Sequence, residues 1–208
     1  MMNTLDLVSH GPVIPVIVIN RLADAVPMAR ALVDGGVRVL EVTLRTPIAL
    51  QCMELIAREV PDAILGAGTV RSAADAQAAK DAGCTFAVSP GYTASIGQAC
   101  RAIGLPLLPG TATGSEVMQA NADGYFFLKF FPAMQAGGIA MLKALAGPFT
   151  DVVFCPTGGI TLASAPEFLA LPNVKVCGGS WLTPSDAVAA QDWARITQLA
   201  REASALRG

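Results

Sequence analysis

Short apolar segments alternate with alanine-rich amphipathic segments along the whole chain of 208 residues. The apolar segments are rich in residues that favour strands, whereas the amphipathic segments carry apolar residues at helical spacing. The pattern predicts eight strands, at Val13–Ile19, Val37–Thr43, Ile64–Gly68, Phe86–Ser89, Leu107–Leu108, Tyr125–Phe130, Val152–Cys155 and Val174–Cys177. It predicts a helix after each strand, at Leu22–Asp34, Pro47–Glu59, Ala73–Ala82, Ala94–Ile103, Ser115–Ala122, Ile139–Leu145, Ala163–Leu169 and Pro184–Ala190, and a last helix at Asp192–Leu206.

Eight strand–helix units favour an α/β fold of the (β/α)8 TIM-barrel type, with a short N-terminal segment before the first strand. No linker, charge block or low-complexity segment divides the chain, so residues 1–208 are predicted to form a single barrel domain. A length of about 200 residues is the lower end for this fold. The alternative is a doubly wound open sheet, which is disfavoured because no GxGxxG follows the first strand.

Two joints between these segments carry helix-boundary signals. Thr46-Pro47 predicts an N-cap followed by a proline at the first helical position. Asp34-Gly35-Gly36 predicts the end of the first helix, because glycine tolerates the positive φ that follows a helix C-terminus.

The charge and the apolar content exclude several classes of partner. Hydrophobic residues make up 53% of the chain and charged residues 14%, with a formal net charge of -2. Because there is no basic cluster, nucleic acid is not an expected partner. The longest apolar run, Val13–Ile19, contains Pro15 and is shorter than the roughly 18 residues that span a bilayer, so no membrane partner is expected. Met1–Gly11 lacks the features of a signal peptide.

The cysteines and the histidine limit the kinds of metal site and catalytic site that the chain can form. The five cysteines are widely spaced and form no CxxC, which indicates reduced core thiols in a cytoplasmic protein rather than disulfides or a metal site: Cys52, Cys84, Cys100, Cys155 and Cys177. His10 is the one histidine, so a zinc site with several imidazoles cannot form within one chain. A Ser-His-Asp triad would depend on His10 alone.

Lys129 is the most informative candidate for catalysis. Because side chains alternate along a strand, Phe127, Lys129 and Phe131 share one face. If that face is the barrel interior, its apolar surroundings disfavour the charged ammonium, and a neutral amine is the nucleophile that a Schiff-base enzyme requires. The alternative is a lysine on the outer face whose stem covers apolar surface. The pattern alone leaves both interpretations open.

Glu41 and Arg45 lie at the end of the second predicted strand, where barrel enzymes place their active sites. A buried Glu41 carboxylate would be a candidate proton shuttle. Arg45 could hold a substrate carboxylate in a two-pronged contact. The alternative is a structural ion pair, either Glu41 with Arg45 or Glu41 with Lys129.

Two glycine turns follow the last two predicted strands, at Thr157-Gly158-Gly159 and at Gly178-Gly179-Ser180. Each turn is expected to lead into a helix, whose free backbone N–H groups would bind phosphate oxygens. Phosphate sites of barrel enzymes are often found after strands seven and eight. Together the turns indicate a phosphorylated ligand, although each glycine pair alone could serve only a tight turn.

Several segments, in this order, resemble the 2-keto-3-deoxy-6-phosphogluconate (KDPG/KHG) aldolases, the lyases of the Entner–Doudoroff pathway. The resemblance runs from about Gly11 to Arg201. It is carried by Glu41-Val42-Thr43-Leu44-Arg45-Thr46, Gly66-Ala67-Gly68-Thr69-Val70, Lys129-Phe130-Phe131-Pro132-Ala133, Cys155-Pro156-Thr157-Gly158-Gly159-Ile160 and Gly178-Gly179-Ser180-Trp181. One departure is Met134, where many relatives have a glutamate.

The resemblance implies a (β/α)8 barrel, a homotrimer and a class I mechanism without a metal or other cofactor. It gives Lys129 the role of the Schiff-base lysine and Glu41 that of the general acid/base. The remaining matched positions are expected to bind substrate: Arg45 and Thr69 at the pyruvate carboxylate with Thr157 nearby, Pro90 and Phe131 along the pyruvyl site, and Gly158, Gly159 and Ser180 around the phosphate.

The expected reaction is cleavage of 2-dehydro-3-deoxy-6-phosphogluconate to pyruvate and glyceraldehyde 3-phosphate. The same pyruvyl site could also cleave 4-hydroxy-2-oxoglutarate to pyruvate and glyoxylate, and the galactonate epimer is a further candidate. Two alternatives use the same fold. One is a phosphosugar isomerase or epimerase in which Glu41 is the enolising base and Lys129 an electrostatic aid; the other is a barrel that only binds a phosphorylated ligand.

Overall fold

A computed structural model describes residues 4–206 as an α/β fold of parallel strands, each followed by helical or turn structure. The strands are β1 (Val13–Ile17), β2 (Val39–Thr43), β3 (Ile64–Gly68), β4 (Phe86–Val88), β5 (Leu107–Leu108), β6 (Gly110–Thr111), β7 (Phe127–Phe130), β8 (Val153–Pro156) and β9 (Cys177–Gly179). The helices are α1 (Ala25–Asp34), α2 (Ala49–Glu59), α3 (Ala73–Asp81), α4 (Ala94–Ala102), α5 (Gly114–Ala122), α6 (Gly138–Ala146), α7 (Ala165–Leu169), α8 (Ser185–Ala189) and α9 (Trp193–Ser204).

All strand pairs are parallel, and the strands form a curled sheet in two hydrogen-bonded parts. One part has the order β5-β4-β3-β2-β1-β9 and the other β6-β7-β8. Pro109 separates β5 from β6, since proline has no N–H to donate to a ladder. At the opposite edges, isolated bridges join Thr157 to Gly178 and Phe154 to Val174.

The alternation of side chains along these strands produces two apolar layers. The inner cluster lies on the concave side of the sheet and consists of Leu7, Ile14, Val39, Phe86, Val88, Leu108, Phe127, Cys155 and Val176. Alternate residues such as Leu40 and Leu128 instead pack outward with residues of the helices. Glu41 and Lys129 follow Val39 and Phe127 by two positions, so they lie on the inner side of the sheet. Glu41 pairs with Val16, next to the carboxyl end of β1, and Lys129 is next to the carboxyl end of β7.

The N-terminal segment expected before the first strand forms a 3-10 helix, Thr4–His10. It places the buried Leu7 in the inner cluster, next to the amino end of the sheet. His10 is exposed and precedes Gly11 and Pro12, which lead into β1. It therefore lies at the amino end of the sheet, away from Glu41 and Lys129. Within residues 4–206 no helix is both long enough and apolar enough to cross a bilayer.

Several predicted boundaries are wrong in ways that have a physical cause. Thr46 does not cap α2: its hydroxyl donates to the Ile19 carbonyl at 2.9 Å, and the helix starts at Ala49 after Ile48. The eighth predicted strand also shifts, since Val174 makes only a single bridge and the ladder runs at Cys177–Gly179. The predicted stop of α1 is confirmed, with Gly36 at φ 89°.

Candidate active site

Lys129 and Glu41 form a buried ion pair on the inner side of the sheet. The lysine Nζ lies 3.0 Å from Glu41 Oε1 and 3.4 Å from Oε2, and the two residues are 4% and 3% exposed. Nζ also lies 5.4 Å from the centre of the Phe131 ring. The outer-face interpretation of Lys129 is therefore wrong. The Glu41–Lys129 pair left open by the sequence is present, and it brings a proton acceptor into direct contact with an amine.

Glycines on neighbouring strands make room for this pair. In the ladders, Glu41 lies beside Gly66 and Lys129 beside Gly110. A Cβ at position 68 would lie only 2.7 Å from Glu41 Cγ and 2.9 Å from its Cδ. Sequence reasoning did not assign this role to Gly68, although its place two residues after Gly66 on a predicted strand was a usable signal.

Arg45 contacts Thr69 rather than Glu41 in the described part of the chain. Its Nε donates to Thr69 Oγ1 at 3.3 Å, so the predicted Glu41–Arg45 pair is absent there. Thr69 has φ 63°, a left-handed conformation that is unusual for a β-branched residue. Such strain persists only where the surroundings impose it, and here it places the hydroxyl against the guanidinium.

A cavity of about 110 Å³ gathers most of the predicted binding residues. Its lining includes Arg45, Phe131, Thr157, Gly158, Gly159 and Ser180. Thr157 is buried and faces Gly178, where a Cβ would lie 2.8 Å from the Thr157 methyl carbon. Pro90 is not part of this lining, but its backbone lies against Gly110, the ladder neighbour of Lys129. Six of the eight predicted binding residues thus line one cavity, while Thr69 contacts one of its lining residues, Arg45.

The glycine turn after β8 borders the cavity, but it does not begin a helix. Gly158 and Gly159 have φ values of 106° and 76°, which a side chain would strain. The helices predicted to follow the two glycine turns are present, with α7 at Ala165 instead of Ala163 and α8 at Ser185 instead of Pro184, so neither glycine pair is part of a helix start. Any phosphate here would therefore meet N–H groups of the turn itself. Met134 covers this turn, since its side chain packs on Gly159.

Cys155 is a second nucleophilic group near Lys129, opposite it in the β7–β8 ladder. Burial raises the pKa of the Cys155 thiol to about 12, only partly offset by the charge of Lys129. The thiol is therefore protonated at neutral pH and is not available as a nucleophile.

Residues 4–206 contain no group of three or more histidine, cysteine, aspartate or glutamate side chains placed to hold a metal ion. The cation nearest the Glu41 carboxylate is the ammonium of Lys129. The expectation of an enzyme without a metal stays a prediction.

A buried lysine next to a carboxylate, at the carboxyl ends of parallel strands, is the arrangement of lyases that form a Schiff base with a carbonyl substrate. The comparisons with known proteins agree with this class. The family model described as "KDPG and KHG aldolase" matches residues 5–199. The chain belongs to this family, as the resemblance of its motifs predicts.

Relatives and solved structures match over almost their full length. The chain is 52% identical over 200 residues to the 2-dehydro-3-deoxy-phosphogluconate aldolase of Pseudoalteromonas atlantica, covering 96% of this chain and 93% of that protein. It is 52% identical over 198 residues to the KHG/KDPG aldolase of Escherichia coli, covering 95% and 93%. The Legionella pneumophila KDPG aldolase, captured with pyruvate as a covalent carbinolamine, has a TM-score of 0.93 at 48% identity, covering 96% and 97%.

Proposed function

We propose that this chain is a class I aldolase that cleaves 2-dehydro-3-deoxy-6-phosphogluconate to pyruvate and glyceraldehyde 3-phosphate. The observation that carries the proposal is the buried contact of 3.0 Å between Lys129 Nζ and Glu41 Oε1. Relatives that are about half identical have this activity in their names, and a structural relative forms a covalent intermediate with pyruvate. Lys129 is accordingly the residue that bonds to substrate.

The reaction begins when Lys129 passes a proton to Glu41 and its free amine adds to the C2 carbonyl of the substrate. The carbinolamine then loses water, with Glu41 returning the proton to the departing hydroxyl, and an iminium forms. Glu41, acting through a water molecule, next takes the proton of the C4 hydroxyl. The C3–C4 bond breaks and its electrons pass to the iminium, so the aldehyde leaves and an enamine remains. Protonation of the enamine and hydrolysis release pyruvate and regenerate Lys129.

The residues around the cleft bind the two ends of the substrate. Arg45 and Thr69 hold the carboxylate, with Thr157 nearby, because the Arg45 guanidinium is already oriented by the Thr69 hydroxyl. Pro90 and Phe131 enclose the pyruvyl carbons. Gly158, Gly159 and Ser180 face the phosphate. The support for these roles is that most of these residues border one cavity, whose lining also includes Phe131 next to Lys129 and Val16 next to Glu41.

We also propose that the curled sheet closes into a complete (β/α)8 barrel and that residues 1–208 form this single domain. Three features support closure of the barrel. First, β1 pairs with both β2 and β9. Second, β5 and β6, which belong to the two different parts of the sheet, are separated by a single residue, and third, a bridge joins Thr157 after β8 to Gly178 in β9. A homotrimer is the assembly that the family resemblance implies. The five free, buried cysteines fit a cytoplasmic protein.

A second substrate, 4-hydroxy-2-oxoglutarate, is proposed on the same site. It has the same 2-keto acid end, and the Escherichia coli relative at 52% identity is named a KHG/KDPG aldolase. No observation favours the isomerase, the epimerase or the non-catalytic binder, since neither the relatives nor the covalent intermediate fits those alternatives.

The proposal is tested by measuring pyruvate release from 2-dehydro-3-deoxy-6-phosphogluconate. The wild type should release pyruvate and aldehyde in equal amounts. Lys129→Arg should lose activity by about 10⁴-fold or more, because a guanidinium cannot form the imine. Lys143→Arg, on an exposed position of α6, is the matched control and should keep full activity. Full activity in Lys129→Arg would overturn the mechanism.

A further inference from the structure

A second, larger cavity adjoins the catalytic cleft. It has a volume of about 400 Å³ and shares Val16 and Ser180 with the smaller cavity that contains Arg45. Val16 lies on the inner side of β1, beside Glu41 in the ladder, and Val18 continues from it toward the rim. A ligand attached to Lys129 and reaching past Ser180 would therefore enter the larger cavity.

Arg21 stands on the wall of this cavity in a fixed orientation. Its Nε and Nη2 donate to the two carboxylate oxygens of Asp24 at 2.9 and 2.8 Å. Asp24 also accepts a bond from the Gln191 side chain at 3.5 Å. A carboxylate that binds one edge of a guanidinium restricts the conformations of the arginine side chain. Less conformational entropy is then lost when a ligand binds.

Both residues of the pair line the cavity, but the cation is the exposed one. The Asp24 side chain is 2% exposed, whereas the Arg21 side chain is 54% exposed. A guanidinium has five N–H groups, and Asp24 takes only two of them. Within residues 4–206, Nη1 of Arg21 has no hydrogen-bond acceptor, so it is free to bind an anion.

The charge of the cleft explains why a further cation is needed. Arg45 and Arg21 are the cationic residues in the lining of the two cavities, and Asp24, which is almost fully buried, is the one anionic residue. Arg45 is engaged with the substrate carboxylate in the proposed mechanism, and Lys129 with the carbonyl. The proposed phosphate residues Gly158, Gly159 and Ser180 carry no charge, although a phosphate monoester is close to a dianion at neutral pH.

We propose that Arg21, positioned by Asp24, is the cationic recognition residue for the phosphorylated end of the substrate. The assignment rests on the proposed aldolase function and adds a specificity-determining residue to it. Thr183 and Ser185 line the same cavity and supply hydroxyl groups for the remaining phosphate oxygens. Asp24 does not touch the substrate and acts as a positioning residue.

The test compares 2-dehydro-3-deoxy-6-phosphogluconate with its unphosphorylated counterpart. In Arg21→Gln, kcat/KM for the phosphorylated substrate should fall about 10- to 100-fold, mainly through KM. The value for the unphosphorylated substrate should change less than about 2-fold. Inhibition by inorganic phosphate should weaken in parallel. Arg21→Lys should retain an intermediate preference, because it keeps the charge and loses the two-pronged contact with Asp24.

Two variants separate recognition from folding. Arg21→Gln leaves the buried Asp24 without its partner, so the double variant Arg21→Gln with Asp24→Asn is measured alongside it. Arg195→Gln is the matched control, since it breaks the exposed Arg195–Asp186 pair of 2.6 Å outside the cavity. It should leave both substrates unaffected. Equal losses on the two substrates, or no loss in Arg21→Gln and the double variant, would overturn the role of Arg21.

Trapping of pyruvate with borohydride distinguishes this failure from failure of the proposed function. Pyruvate has no phosphate, so Arg21→Gln should trap it on Lys129 as efficiently as the wild type. If Arg21→Gln traps pyruvate normally but loses equal activity on the two substrates, the role of Arg21 is rejected and the aldolase function stands. A wild type that traps no pyruvate rejects the aldolase mechanism itself.

Discussion

The floor of the cleft and its rim are built by different means. The floor is the pair Lys129 and Glu41, both almost fully buried in regular strands, Glu41 in the middle of β2 and Lys129 next to the last residue of β7. The rim is formed by Arg45, Thr69 and the Gly158-Gly159 turn, which follow the strands and include left-handed backbone. In the proposed mechanism, the group that forms a bond is therefore held by the sheet, whereas the groups that select a ligand are held by turns.

This difference reflects two physical requirements. Bond-forming atoms need accurate placement, and ladder hydrogen bonds on both sides of a strand supply it. Binding groups must reach a ligand above the sheet, so the chain has to leave the ladder and turn sharply. Strain at Thr69 is therefore expected where the rim requires a conformation that the sheet would not provide.

Among substitutions that leave Lys129 and Glu41 themselves unchanged, Gly68→Ala should have the largest effect, because it disturbs the floor from a neighbouring strand. The new Cβ would lie 2.7 Å from Glu41 Cγ, so the carboxylate has to move away from Lys129. A displacement of about 1 Å at a reacting group can cost about 100-fold in rate, and we expect a loss of that size in kcat. Gly91→Ala is the control, since nothing lies within 4 Å of the added carbon. Equal kcat values for the two variants would show that the Glu41 position is not critical.

Substitutions at Thr69 should affect the rim in a smaller and different way. Both Thr69→Ala and Thr69→Gly lose the hydroxyl that contacts Arg45, so both should raise the KM for substrate by a similar factor. Their stabilities should differ, with the glycine variant more stable by about 1 kcal/mol, because φ 63° is costly for any residue with a Cβ. Thermal unfolding measures this difference.

Glu54 provides the control for that order of stabilities. It is exposed in the middle of α2, where alanine is favoured over glycine by about 1 kcal/mol. Glu54→Ala should therefore be more stable than Glu54→Gly, the reverse of the order at Thr69. The same order at both positions would contradict the strain at Thr69.

Cys155 should give the smallest effect on catalysis, although it borders the floor. Because burial raises the pKa of its thiol to about 12, the native enzyme should not be alkylated at Cys155 by iodoacetamide at pH 8, and Cys155→Ala should keep kcat within about 2-fold. Mass mapping after alkylation checks the first expectation. Rapid native labelling of Cys155 would contradict its burial.

The raised thiol pKa also predicts how stability depends on pH. An unfolded cysteine loses its proton near pH 8.5, whereas folded Cys155 keeps it until about pH 12. The stabilisation is therefore fully present below about pH 8.5 and is lost as the pH rises toward 12. Denaturant unfolding at pH 8 and 10 should show a smaller decrease for Cys155→Ala than for the wild type.

The floor was more predictable from sequence than the rim. The alternation of Phe127, Lys129 and Phe131 predicted that the three side chains share one face, because side-chain direction in a strand follows directly from position. It did not decide whether that face was the inner or the outer one. Glu41 was found in the same way, two residues after Val39. The contact between them was left as one of several alternatives, since it depends on how non-adjacent strands curl toward each other.

The contacts of the rim depend on long-range geometry that local pattern does not contain. Thr46 has the features of a helix cap, yet a strand carbonyl at Ile19 competes for its hydroxyl. The partner of Arg45 is Thr69, which is distant in sequence and has a backbone conformation that its residue type disfavours. The glycine pair Gly158-Gly159 lines the cavity, and the helix predicted after it begins within two residues of the predicted start. The left-handed backbone of the pair, which keeps it outside that helix, was not predicted.

Reductive trapping with pyruvate and borohydride tests the central claim most directly. We predict a reduced pyruvyl adduct on Lys129 alone, identified by mass mapping of peptides, and its loss in Lys129→Arg but not in Lys143→Arg. An adduct on Lys80, Lys143 or Lys175, or no adduct under conditions where the enzyme cleaves its substrate, would contradict the account.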